Sequence, residues 1–290
     1  MGINISDLTK RIMFGAIYVV VMVVATLFSL YTTIVVIAGT SALCSYEFLR
    51  MCRMNDHHPF VHIGTITAGL IPFSLIFFVH TNHILFAPLA IAFCGAAVCV
   101  CRYFGDEKVA IEDVALTIFS YLYTGLLPCA YVLVRGYLNG IDGGILAVML
   151  FLSVCLSDGC AYLGGSAFGK HKFMPKISPK KSWEGVICGV LGCIIVWVLV
   201  PVFLPNCDFG FIWAIIIGIF VAVAGIIGDL MESHIKRGFA VKDSGDIMPG
   251  HGGLLDRSDS LIFACVLAYG LIAAAPYINS FLRAFMGFTL

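Results

Sequence analysis

Apolar residues run along this chain in long, nearly uncharged stretches, broken by short clusters of Lys, Arg, Asp and Glu. A helix needs about 20 apolar residues to cross the hydrocarbon core of a bilayer, because every backbone polar group has to be satisfied inside it. Nine windows of that kind can be placed, near 12–29, 31–49, 61–79, 84–101, 114–134, 143–163, 185–204, 210–230 and 259–281. Only the turn signal Ser29-Leu30-Tyr31-Thr32 separates the first two, and merging them gives eight. The pattern predicts an all-α polytopic membrane protein with about nine transmembrane helices. Residues 1–110 hold N-terminal helices and 111–290 hold the region rich in candidate chemistry.

Composition agrees with that reading. Of 290 residues, 60% are hydrophobic and 12% charged, and the mean hydropathy is +1.01. A soluble domain carries about 25% charged residues to keep its surface solvated, so a soluble globular protein is excluded. Disorder is excluded as well, since 23 Phe and 11 Tyr oppose its compositional signature. Seventeen basic and seventeen acidic residues cancel, which leaves no global field to recruit nucleic acid. The twelve cysteines are scattered through apolar runs without a C-x-x-C pair or Cys/His ligand spacing, and read as small core residues.

The few charges orient the chain, because short cytoplasmic loops retain Lys and Arg. With nine spans and a cytoplasmic N-terminus, fifteen of the seventeen basic residues fall on the inner side, leaving Arg135 and Arg283 outside. With the first two spans merged, the division weakens to thirteen against four. Nine spans fit better, and every later basic loop stays inside under either count.

An ionisable group at the centre of a span costs about 2.5–3.5 kcal/mol, so each needs a partner, a wet cavity or a function. Three polar regions gather towards the predicted cytoplasmic ends of the last four spans. The first runs from Ser157-Asp158 to Gly185 and contains Ser178-Pro179-Lys180-Lys181-Ser182, with Ser182 as a candidate N-cap. Its glycines and lysines suit an anion, and an ordinary positive-inside loop would also carry such lysines. The second, Asp229 to Arg237, places Asp229, Glu232, Ser233 and Lys236 on one face if the helix continues. That stripe lines a polar cavity or merely pairs its own charges to finish the helix.

The third region, Lys242 to Asp259, joins Gly250-His251-Gly252-Gly253 to Asp256 and Asp259 at the start of the last span. The glycine-rich loop can expose backbone N–H groups. Carboxylates beside basic groups suit Mg²⁺ bridging a nucleotide phosphate, because Mg²⁺ takes one or two carboxylates and leaves other positions to water and substrate. A solvated loop with self-paired charges is the competing reading, and His251 serves equally as a hydrogen bonder that fixes the loop.

The stretch Ser233-x-Ile235-Lys236-Arg237, then Lys242-Asp243-x-Gly245, Pro249-x-His251-Gly252-Gly253 and Asp256-Arg257-x-Asp259 resembles the signature of the phosphatidate cytidylyltransferases, or CDP-diacylglycerol synthases. The likeness extends upstream to Asp158, Ala161-Tyr162, Phe168-Gly169-Lys170, Ser178-Pro179-Lys180-Lys181 and Glu184-Gly185. It covers the C-terminal half closely, while the N-terminal spans match in hydropathy alone. Met248 and Ser258 depart from the pattern, at uncharged positions.

The resemblance implies transfer of a cytidylyl group from CTP to phosphatidic acid, giving CDP-diacylglycerol and pyrophosphate. It further implies Mg²⁺, in some relatives with K⁺ beside it, and a homodimer in the lipid bilayer. Asp229 and Asp256 would be the metal carboxylates. Lys236, Arg237 and His251 would stand at the catalytic centre, with Lys180, Lys242 and Arg257 on phosphates. Asp158, Ser178, Lys181, Ser233, Asp243, Gly252, Gly253 and Asp259 complete the implied substrate contacts. The active site would face the cytoplasm, at the inner membrane if the source is bacterial. The attacking phosphatidate oxygen is already anionic, so positioning and charge neutralisation carry in-line attack on the α-phosphorus. An ion-coupled transporter using Asp158 and Asp229 and a CTP-dependent lipid kinase are the other readings. The crowding of charge at one edge and the absence of a visible internal repeat disfavour the transporter.

Overall fold

The computed structural model describes all residues except 1–4, 78–84, 107, 176, 206, 208, 248–251 and 287–290, and the side chains of all but these and residues 5–12 and 282–286. Helices occupy each of the nine predicted windows: α1 (Ile5–Phe28), α2 (Leu30–Arg53), α3 (Val61–Phe73), α4 (Phe86–Gly105), α5 (Ile111–Tyr121) with α6 (Cys129–Tyr137), α7 (Gly140–Phe168), α8 (Trp183–Phe203), α9 (Phe211–Gly238) and α10 (Leu255–Met286). Among the described residues, seven helical stretches are long and apolar enough to cross a bilayer. Met13–Phe28 and Val61–Phe77 are shorter apolar helices. The architecture is that of an all-helical, polytopic membrane protein.

The break between α1 and α2 falls at Ser29, which has extended backbone and a complete capping box. Its hydroxyl accepts from the N–H groups of Tyr31 and Thr32, while its own N–H donates to the Thr32 hydroxyl. Two orphan donors are satisfied without water, so this turn is tolerated beside an apolar run. Between α5 and α6 the chain makes a π-turn, Leu122–Leu126. Pro128 has no N–H to continue an α-helical ladder, and Leu127 N–H bonds back to Leu122 instead.

The chain forms two compact units. The first comprises 1–132 with 235–258, the second 133–234 with 259–290. In the first, hydroxyls join helices across the apolar core: Ser45 meets Ser120 at 2.6 Å, Thr26 meets Tyr131 at 3.2 Å, and Tyr121 donates to the Ala92 carbonyl at 3.2 Å. In the second, Trp197 Nε1 donates to Ser153 Oγ, and Trp213 Nε1 to the Leu271 carbonyl, both at 3.2 Å. These bonds satisfy polar groups that apolar surroundings cannot.

The α7–α8 contact in the second unit depends on small residues. A Cβ at Gly185 would lie 2.7 Å from the Ala161 carbonyl oxygen, and one at Gly189 would lie 3.0 Å from that of Ser157. Between these helices the sequence makes a hairpin of β1 (Lys172–Met174) and β2 (Ser178–Ser182), antiparallel with Lys172 opposite Ser182. The sequence reading contains no strand here. The reason is physical: three- and five-residue strands are too short for an alternation signal, and the pairing is local.

Gly189→Leu should force α7 and α8 apart and lower stability by about 1–3 kcal/mol. Gly39→Leu, at an exposed position of α2 where a Cβ meets nothing within 4 Å, should not lower stability and should raise it by about 1 kcal/mol or less. Equilibrium unfolding of the two variants in mixed detergent micelles measures the difference.

Candidate functional site

Two carboxylates form separate centres, one in each unit. In the second unit α9 continues past its apolar part, which meets the condition for the polar stripe, and carries Asp229 in its polar portion. Lys181, on β2, reaches Asp229 Oδ2 at 2.6 Å, and the Ser233 hydroxyl donates to Oδ1 at 3.2 Å from one turn further along the helix. The pair remains partly open, with side chains 24% and 32% exposed. Gly228, just before Asp229, has no room for a Cβ because the Asp259 backbone oxygen of α10 packs against it. Lys181 is aimed by the hairpin, whose end is fixed by Ser182. This residue caps α8 as predicted, accepting from Gly185 N–H at 3.2 Å. The same end carries an exposed His171 Nδ1 to Glu184 contact of 2.6 Å.

In the first unit Asp256 stands in the first turn of α10, where the helix has orphan N–H groups and the positive end of its dipole. Lys236 Nζ lies 2.6 Å from Oδ1, and both side chains are largely buried, at 12% and 8% exposure. Oδ2 accepts from Ser244 N–H at 3.0 Å and Gly253 N–H at 2.7 Å. The intervening loop turns at Ala240, which has φ 54° and follows α9, while Val241 N–H caps the Lys236 carbonyl. Gly252 has φ +81°, and a Cβ there would lie 2.7 Å from Asp256 Oδ2.

The structure therefore brings together Lys236, Ser244, Gly253 and Asp256 in one centre, and Lys181, Asp229 and Ser233 in the other. Gly253 N–H, expected to be open to an anion, is taken by Asp256. Lys180, Arg237, Lys242, Asp243 and Arg257 are exposed, with the Arg237 guanidinium donating to the Val241 carbonyl at 3.5 Å. Asp158 lies exposed on α7, and Ser178 is half-buried on β2. Asp259 is buried and its Oδ1 accepts from Ser260 N–H at 2.6 Å. His251 lies outside the described residues.

Sequence reasoning missed two acidic residues. Glu47 on α2 is buried and accepts from Leu254 N–H at 3.0 Å, Leu255 N–H at 2.8 Å and the Ser244 hydroxyl at 3.3 Å. Asp113, in the first turn of α5, accepts from His58 N–H at 2.7 Å and so ties down the loop after α2. Glu47 had a signal in the sequence: it is an ionisable group inside a predicted span.

Lysines already paired with carboxylates can exchange a carboxylate for a phosphate, and the carboxylate oxygens so released are hard ligands for a divalent cation. Both aspartates stand in the polar portions of otherwise apolar helices of a membrane protein.

The chain belongs to the Cytidylyltransferase family, whose profile matches residues 9–275. Over 231 residues it is 32% identical to the chloroplastic phosphatidate cytidylyltransferase 5 of Arabidopsis thaliana, an alignment covering 72% of this chain and 56% of that protein. It is 41% identical over 161 residues to the phosphatidate cytidylyltransferase of Staphylococcus haemolyticus, covering 56% and 60%. For the Synechocystis phosphatidate cytidylyltransferase the figures are 28% over 259 residues, 81% and 86%. The chain thus spans little more than half the length of the first of these relatives.

Lys236→Met would remove the ammonium paired with the largely buried Asp256, a loss expected to cost about 3 kcal/mol. Lys181→Met breaks a more open pair and should cost about 1 kcal/mol or less. Unfolding of the two variants side by side checks the order, and equal losses would contradict the assigned difference in burial.

Proposed function

We propose that this protein transfers a cytidylyl group from CTP to phosphatidic acid, giving CDP-diacylglycerol and pyrophosphate. The reaction takes place at the cytoplasmic face of a membrane that the chain crosses nine times with its N-terminus inside. The observation that carries the reading is the fixed Lys236–Asp256 pair, set by backbone donors inside the very segment that resembles the family signature. Family membership and the names of the relatives support it.

The phosphatidate oxygen attacks the α-phosphorus of CTP in line. The new bond is lipid oxygen to α-phosphorus, and the bond that breaks joins the α-phosphorus to the oxygen bridging it to the β-phosphorus. Pyrophosphate leaves with that electron pair. No side chain has to remove a proton, since the nucleophile is already an anion near neutral pH. Lys180, Lys181, Lys236, Arg237, Lys242 and Arg257 hold phosphates, and the lipid tails stay in the bilayer.

The donor chemistry fits Mg²⁺, which needs one or two carboxylates and completes its shell with water and phosphate oxygens. Asp229 carries one hydrogen-bonding or ionic partner on each oxygen and is partly open, and Asp256 Oδ1 carries Lys236. Each of these aspartates, within its own unit, is a candidate carboxylate for the ion, which when bound would supply charge neutralisation between two anionic reactants. Lys181 and Lys236 would then turn from carboxylate to phosphate. The remaining donors on Asp256, Ser244 and Gly253, keep it aimed throughout.

Purified protein supplied with CTP, Mg²⁺ and phosphatidate should release pyrophosphate only when the lipid is present. Asp229→Asn and Asp256→Asn should each lower turnover by about 10²-fold or more. Lipid-independent release or none from the unaltered protein rejects the reaction. Release of CDP in place of pyrophosphate selects a CTP-dependent lipid kinase.

A further inference from the structure

Glu47 stands near the end of α2 and is 1% exposed. A carboxylate buried against apolar helices is retained only where donors surround it. Those donors lie 197 to 208 residues away in sequence. Oε1 accepts from Leu254 N–H, and Oε2 accepts from Leu255 N–H and the Ser244 hydroxyl. The two amides open α10, so the carboxylate also meets the positive end of that helix.

The glycines of the same segment are explained by the same carboxylate. A Cβ on Gly245 would lie 2.8 Å from Glu47 Oε1, and one on Gly253 would lie 2.5 Å from Oε2. Both residues therefore press their bare Cα against Glu47. Asp256 grips the segment too, through Ser244 N–H and Gly253 N–H. Ser244 is held by two carboxylates at once, one from α2 and one from α10, while Gly253 N–H goes to Asp256 and the next two amides, Leu254 and Leu255, go to Glu47.

We propose that Glu47 is a positioning residue for the proposed cytidylyl transfer. It touches no reactant. It fixes Ser244, Leu254 and Leu255, and through Ser244 and the start of α10 it sets the direction in which Asp256 meets the nucleotide. The inference rests on the proposed reaction, and it gives the N-terminal helices a part in the site. A glutamine cannot replace Glu47, because its NH₂ would face either Leu254 N–H or the Leu255 and Ser244 donors. Donor would then oppose donor.

The test compares the full-length protein with E47Q in detergent micelles, by two readouts. Amide hydrogen exchange, which needs no substrate, should quicken about tenfold or more in peptides covering 244–255 and stay unchanged over α5. The KM for CTP should rise about tenfold while that for phosphatidate stays within about twofold. A merely structural role would lower the yield of active protein and leave the KM for CTP unmoved. Unchanged exchange, or an unchanged KM for CTP, overturns the role of Glu47. Should E47Q fail to accumulate folded, Ser244→Ala removes a single bond to the carboxylate and should move both readouts in the same direction, by about threefold. Unchanged values there overturn it equally. Absence of turnover in the unaltered protein defeats the proposed reaction, whereas normal turnover with unmoved readouts in E47Q defeats only the positioning role.

Discussion

A carboxylate packed against apolar helices persists only where fixed donors neutralise it, and this requirement organises the described residues on either side of 248–251, from Lys236 to Ser244 and from Gly252 to Asp256. Asp256 has a lysine on one oxygen and two backbone N–H groups on the other. To deliver those amides, the chain leaves α9 through a left-handed residue, Ala240, and returns with Gly252 also at positive φ. A left-handed alanine costs about 1–2 kcal/mol, which the hydrogen bonds on Asp256 and Glu47 have to offset. The loop is shaped by the acids it serves.

The two aspartate centres differ in how tightly they hold their lysines, and the difference bears on function. An exposed ion pair is worth about 0–1 kcal/mol, so Lys181 can leave Asp229 for a phosphate at small cost. Lys236 and Asp256 are largely buried and joined to a fixed backbone, so their parting requires an incoming group that replaces the lost charge. Asp229 is thus the centre at which ligands exchange readily. Asp256 is the one around which the scaffold is set, through Lys236 and the Ser244 and Gly253 amides.

Much of this was legible in the sequence because hydropathy and capping are local. The nine apolar windows coincide with helices, and Ser29 and Ser182 stand at helix starts. The Asp229 to Lys236 stripe lies on a helix that does continue. The pairing within the polar regions was foreseeable only as a set of candidates. Residue types say that Lys181 and Lys236 want anions, but they do not say which. Glu47 was visible as an ionisable group inside a predicted span, but its partners were not, because they are two main-chain amides and one serine far along the chain and main-chain donors leave no mark on residue identity. The hairpin escaped for a related reason, being too short for periodicity. Long-range contacts between a side chain and a backbone are where reading a sequence gives way to seeing the fold.

The most direct measurement follows the phosphorus atoms. The protein, reconstituted with phosphatidate and Mg²⁺, is given CTP labelled at the α- or the γ-phosphate, and the lipid is extracted. The account predicts label in the lipid from α-labelled CTP and none from γ-labelled CTP, whose label stays in the aqueous pyrophosphate. Label entering the lipid from the γ-position, or from neither, would contradict it.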